Sequence, residues 1–213
     1  MATLSSTSER LLDAAERLFA AEGFAETSLR AITAEAEANL AAVNYHFGSK
    51  HGLIQAVLAR HLQPMNAERL SRLDALDAEH PEGPSLRAVL EAFLVPAFAI
   101  GQGERGRPIF TLFARAHGSP DPALRRTFIA EFDDVAARFG PALQRALPAA
   151  SMPDIFWCVH FVVGALYHTV SASGVLEAFS EGACRADDPA TLDRLIDFAE
   201  AGVRSAARDG ASS

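Results

Sequence analysis

The stretch TSLRAITAEAEANLAAVNYHFGSK, residues 27–50, decides how this chain folds. Leu29, Ile32 and Ala36 recur at helical spacing behind Thr27, whose hydroxyl can cap a helix N-terminus. Glu37 and Ala38 leave room only for a tight turn. Asn39 then caps a further helix that ends near Phe47, and Gly48-Ser49 breaks the chain and restarts it at Lys50. Two short helices so joined have the spacing of a helix-turn-helix, whose second helix enters the DNA major groove with its early residues against base edges.

Working outward, Ser6-Thr7-Ser8-Glu9 has the form of a capping box ahead of the stripe Leu11, Ala14, Ala15, Leu18 and Phe19, which Gly23 ends. A long fourth helix is predicted from Lys50 to about Asp77, bent at Pro64. Ser85 caps the stripe Leu86, Val89, Leu90, Phe93, Leu94 and Ala97, and Gly101 to Arg107 reads as a loop. A helix through Ile109 and Phe113 follows. One further helix is expected from Asp121-Pro122 through Leu124, Phe128, Phe132, Val135 and Phe139. Residues 154–173 are apolar on nearly every side, and a last helix spans about 191–208. The expectation is an all-α protein. A three-helix headpiece over residues 1–50 is joined by a long helix to a larger helical domain over 51–213, which binds an effector and dimerises.

Apolar residues make up 49% of the chain and charged ones 22%, a globular balance. No apolar run approaches the roughly 18 residues that span a bilayer, and no signal-peptide pattern opens the chain, so a cytoplasmic protein with no membrane partner is expected. Cys158 and Cys184 lack metal-ligand spacing. Neither a Ser/His/Asp order, paired carboxylates nor a glycine-rich phosphate loop stands out, so no enzyme, cofactor or metal site is expected. The net charge of −8 argues against a basic blanket for nucleic acid, and residues 1–50 hold four cations against seven acids. DNA would have to be met by placed donors and helix N-termini. Val43 and Phe47 anchor the third helix, which leaves Asn39, Leu40, Ala41, Asn44 and Tyr45 outward. Asparagine can bond adenine twice, and leucine or alanine can touch a thymine methyl. Tyr45, His46, Thr27 and Ser28 can donate to phosphates, with Lys50 in the first turn of the fourth helix.

Residues 8–58 resemble the headpiece of the TetR family of repressors: Ser-Glu-Arg-Leu-Leu-Asp-Ala-Ala-Glu-Arg-Leu-Phe, then Thr-Ser-Leu-Arg-Ala-Ile, then Tyr-His-Phe-Gly-Ser-Lys. The resemblance implies a dimer that binds a palindromic double-stranded operator and is released by a small molecule. Two positions depart from the family pattern. Glu37 stands where the family usually has glycine, so a positive φ there would cost about 1 kcal/mol or more. Asn44 stands where many relatives carry tyrosine, which favours base contact over phosphate contact. Residues 39–50 and Phe156-Trp157-Cys158-Val159-His160-Phe161, with Gly164-Ala165 after them, resemble the PsrA-like branch. That likeness implies a response to long-chain fatty acids or their coenzyme A thioesters.

Nine of the 14 phenylalanines fall between residues 93 and 161. Most of them are expected to fill core. Phe93, Phe98, Phe110, Phe113, Phe132 and Trp157 could line one apolar cavity, with Arg105, Arg107, Arg115 and His117 near an anionic head group. For the homodimer, the expected four-helix seam joins Val159, Val163 and Gly164 to the stripe Leu192, Leu195, Ile196 and Ala199, with Ala172 permitting close approach. Two alternatives stand beside an acyl effector: a multidrug or aromatic-compound sensor of the same fold, and a helical lipid carrier or enzyme without DNA binding.

Overall fold

The computed structural model describes residues 6–209, apart from 172 and 186 and the side chains at 103–105, 107, 173 and 206–209. The described residues form eleven helices: α1 (Thr7–Glu22), α2 (Leu29–Glu35), α3 (Leu40–Phe47), α4 (Lys50–Glu79), α5 (Leu86–Gly101), α6 (Gly103–His117), α7 (Pro122–Ala130), α8 (Asp133–Ala146), α9 (Met152–Ser171), α10 (Ser173–Phe179) and α11 (Thr191–Asp209). None of them is long and apolar enough to cross a membrane. The helices group into two compact units. One holds the chain up to Pro64 together with Pro108–Glu131, and the other holds Met65–Arg107 together with the chain from Phe132 onward. The sequence divides the chain once, at residue 50. By packing, α7 and most of α6 group with α1 to α3 and the first half of α4, and α4 and α6 each contribute to both units.

The first unit is organised by local chemistry. Ser6 and Glu9 close the capping box reciprocally at the start of α1. Leu11, Ala14, Ala15 and Phe19 are buried on the inner face of α1, which packs on α2 and α3, and Ile32 of α2, Val43 of α3, and Leu53, Val57, Leu58 and Leu62 of α4 are buried as well. Arg60 bonds Asp13 at 2.6 Å and His61 bonds Glu16 at 2.7 Å, which fixes how α4 lies along α1. From the later segment, Phe110, Phe113 and Phe128 supply a buried aromatic cluster with centroids 5.7 and 6.2 Å apart. Arg115 donates to the Ala21 carbonyl, and His51 meets the Thr127 hydroxyl at 3.1 Å.

Glu37 does take a positive φ, 48°, in the turn between α2 and α3. The side chain is exposed and nothing offsets its Cβ clash with the backbone. Glu37→Gly should therefore raise stability by about 0.5–1 kcal/mol, or roughly 2 °C in a thermal melt for a protein of this size. An unchanged or lower melting temperature would show that this turn is unstrained.

The second unit packs α5 against α8, α9 and α11. Its core takes Leu86, Val89, Leu90 and Leu94 from α5, Val135, Phe139 and Leu143 from α8, and Ile155, Val162, Leu166 and Val170 from α9. Two parts of the sequence reading change here. The predicted loop at Gly101–Arg107 shrinks to a corner at Gln102, because Gly106 lets α6 start hard against the end of α5. A Cβ at Gly106 would overlap the backbone of Ile100 and Gly101. The single helix expected from residue 121 breaks at Glu131-Phe132, where Phe132 takes φ −110° and ψ 3° and caps α8 without a side-chain hydrogen bond. Its apolar stripe is thereby shared out, with Leu124 and Phe128 in the first unit and Val135 and Phe139 in the second.

Candidate nucleic-acid interface

Asn39 leaves the turn in extended conformation, and its side-chain oxygen accepts from the Ala42 N–H at 2.9 Å, so α3 begins as the sequence indicates. Val43 is fully buried and Phe47 half-buried, which orients the other faces of this short helix outward. Asn39, Leu40, Ala41, Asn44, Tyr45 and His46 are all exposed, and Tyr45 is 85% exposed with its ring edge-on to His46. The combination of one amide at 44, two small apolar contacts at 40 and 41 and a phenol at 45 suits base edges and phosphates, and it buries nothing within the fold.

Gly48 ends α3 at φ 74°, and the Ser49 hydroxyl accepts from the Gly52 N–H at 3.0 Å to cap α4. Lys50 is half-buried, and its ammonium donates to the Ala25 carbonyl at 3.1 Å. One of its three donors thus ties α4 to the α1–α2 connection, and the other two remain for an anion. Ser28, not Thr27, caps α2, by accepting from Ala31 N–H. Ser28 is exposed, and its own O–H can still donate.

Thr27 is the correction. Its side chain has 0% exposure, and its hydroxyl donates to the carbonyls of Gly23 and Leu18 at 2.7 and 3.3 Å. Its hydroxyl closes the α1–α2 corner from inside and cannot reach a phosphate. The acidic headpiece also uses its cations sparingly. Arg10 bonds the Ala36 carbonyl and Arg17 pairs with Glu35, whereas Arg30 lies exposed on α2 with no carboxylate within 4.0 Å among the described residues. Arg30 is not among the residues the sequence singles out. The signal available is that it is the one headpiece arginine that does not lie on α1.

The expected cavity residues are divided between the two units. Phe110 and Phe113 belong to the first unit, while Phe93, Phe98, Phe132 and Trp157 belong to the second. Trp157 is 61% exposed and stacks on Phe161 at 5.6 Å, so it faces out of its unit and lines no interior cavity. Phe93 is half-buried against Phe139, Phe98 is buried, and Phe132 is half-buried at the start of α8. Of the head-group candidates, His117 is exposed, Arg115 turns to Ala21, and the side chains of Arg105 and Arg107 lie outside the described residues.

The residues expected at the seam divide by burial. Leu195, Ile196 and Ala199 are buried within their own chain, on the side of α11 that packs on α5 and α9, and Leu192 is half-buried. Val159 and Val163 are half-buried and Gly164 is exposed; Ala172 lies outside the described residues. On the outside of the same two helices, Phe156, Trp157 and Phe161 of α9 and Phe198 of α11 are each between 61% and 71% exposed. Phe198 on the otherwise polar face of its helix was the signal that could have found them.

Residues 11–57 match the family described as bacterial regulatory proteins, tetR family, and residues 91–202 match the tetracyclin repressor-like C-terminal domain. No curated protein matches in sequence. Among solved structures, the chain is similar to the transcriptional regulator PfmR from Thermus thermophilus, at 20% identity and a TM-score of 0.56, covering 93% of this chain and 97% of that one. It is similar to SCO4454 from Streptomyces coelicolor at 20% identity and a TM-score of 0.57, covering 96% of both. It is also similar to the fatty acid degradation regulator FadR from Bacillus halodurans, at 11% identity and a TM-score of 0.64, covering 95% and 98%.

Proposed function

The chain belongs to the TetR family of bacterial transcriptional regulators, and we propose that it is a repressor that holds a palindromic operator as a homodimer and lets go when an apolar acyl effector binds. It is a DNA-binding regulator and not an enzyme. The observation that carries the DNA reading is the exposed Asn44-Tyr45 edge of α3 above the buried Val43. In this reading Asn44 takes a base, with Leu40 and Ala41 beside it. Ser28, Arg30, Asn39, Tyr45, His46 and Lys50 hold the backbone.

The homodimer is formed by Phe156, Trp157 and Phe161 of α9 with Phe198 of α11, because four large aromatic side chains open to water on two helices that pack together call for a cover. A two-fold protein reads a palindrome. The effector reading rests on the phenylalanine-rich second unit and on the PsrA-like segment around Trp157. A long acyl chain gains about 0.8 kcal/mol for each methylene it buries. Release requires that it bind better to the conformation unable to hold the operator, since equal affinity for both would shift nothing.

A labelled promoter fragment tests both parts. Asn44→Ala should cost roughly 1–3 kcal/mol on the operator and little on random DNA. Equal losses on both would place Asn44 on phosphate. Acids of increasing chain length should release the wild-type complex progressively. A flat response, with release by a cationic aromatic drug, would replace the acyl reading by the multidrug-sensor one.

A further inference from the structure

Arg69, on the second half of α4, is 3% exposed and is the one charged side chain buried among the described residues. Its partners are all neutral. Nε donates to the Phe93 carbonyl at 2.9 Å, Nη1 donates to Asn66 Oδ1 at 3.1 Å, and the guanidinium lies 4.1 Å from the centroid of the Phe93 ring. No carboxylate among the described residues pairs with it. The titratable group nearby is the Tyr167 phenol, which burial holds in its neutral form. Burial pushes the Arg69 guanidinium down to about 10. The surface behaves in the opposite way: Arg60, Arg87, Arg138 and Arg145 each hold a carboxylate. The hydrogen bonds of Arg69 to described residues run through Nε and Nη1.

A desolvated cation with only neutral partners is uncompensated, and a planar guanidinium matches the two oxygens of a carboxylate. Apolar side chains surround the position: Met65 and Leu73, four residues to either side on the same helix, are buried, and Phe139 packs on Phe93. We propose that Arg69 is the counterion for the effector, so that the second unit takes a free carboxylic acid with an apolar tail and rejects its esters and thioesters. This rests on the effector-binding reading above and narrows it, because a thioester has no charge at the acyl carbon to offset a buried cation. The effector then acts on α4, the helix that also begins at the α3–α4 junction.

The test is calorimetric titration of the full-length protein with dodecanoate, methyl dodecanoate and dodecanoyl coenzyme A at neutral pH. Wild type should bind dodecanoate at least about tenfold more tightly than either form without a free carboxylate. In Arg69→Met, which removes the buried charge without leaving a void, that preference should collapse toward one while methyl dodecanoate is retained. Equal affinity of wild type for acid and methyl ester would overturn the assignment, and that arm needs no variant to fold. A preference kept in Arg69→Met would overturn it as well. If none of the three binds wild type or releases its operator, the effector reading itself falls and takes this assignment with it. Binding without a carboxylate preference removes only the role of Arg69.

Discussion

Replacing Phe161 by glutamate should leave the protein folded but monomeric in sedimentation. Phe161 is 64% exposed and rests on the Trp157 ring, so the substitution removes no contact from the core of its own chain, and circular dichroism should be unchanged. Buried in a dimer, the ring would remove on the order of 150–250 Å² from water, worth a few kcal/mol at about 25 cal/mol per Å². The carboxylate that replaces it must be desolvated without a partner, which adds several kcal/mol more. The expected loss is roughly a thousandfold or greater in dimer affinity. Operator binding should fall with it, because each headpiece then reads its half-site alone. Phe179→Glu, on α10 and still more exposed, is the control and should leave the dimer intact. A Phe161→Glu protein that still sediments as a dimer would place the seam elsewhere.

Gly52→Ala sets two effects against each other, and the sign decides between them. Inside a helix, glycine to alanine ordinarily stabilises by about 1 kcal/mol. Here the added methyl would sit well inside van der Waals contact of the Phe47 carbonyl oxygen, a backbone atom held by the end of α3. Forcing the two apart costs about 1–3 kcal/mol or more, so the net effect is destabilising. It also re-aims the recognition helix, because Gly48 and Ser49 form the whole connection between the end of α3 at Phe47 and the start of α4. The expected outcome is a lower melting temperature together with a loss of operator affinity larger than the loss of stability. A stabilised variant with full affinity would show that α3 and α4 do not meet at Gly52.

The capped starts of α1, α3, α5 and α7 at Ser6, Asn39, Ser85 and Asp121 are where the residues put them. The positive φ at Glu37 and the outward set on α3 were equally legible. Each depends on atoms within four residues along the chain, and one-dimensional spacing encodes contacts of that range. Thr27 failed as a cap because the same hydroxyl has a second local option, the Gly23 and Leu18 carbonyls behind it, and only the folded corner chooses between them.

The remainder was decided by tertiary structure, because periodicity marks an apolar stripe without saying what covers it. On α11, Leu195, Ile196 and Ala199 form a clean stripe, yet it covers the α5 and α9 of the same chain and leaves Phe198 as the exposed apolar side chain. The stripe from Leu124 to Phe139 runs unbroken through a kink at Phe132, since helical spacing continues across a break that keeps the register. Arg69 looks like any helix-surface arginine in sequence. Its burial follows from α5 and its Phe93 ring closing over it, 24 residues away along the chain. Spacing along the chain determines where α1, α3, α5 and α7 begin and which side chains of α3 face outward. Which faces meet within the chain, and which charge is left without a counterion, required the assembled fold, because those depend on atoms brought together from distant parts of it.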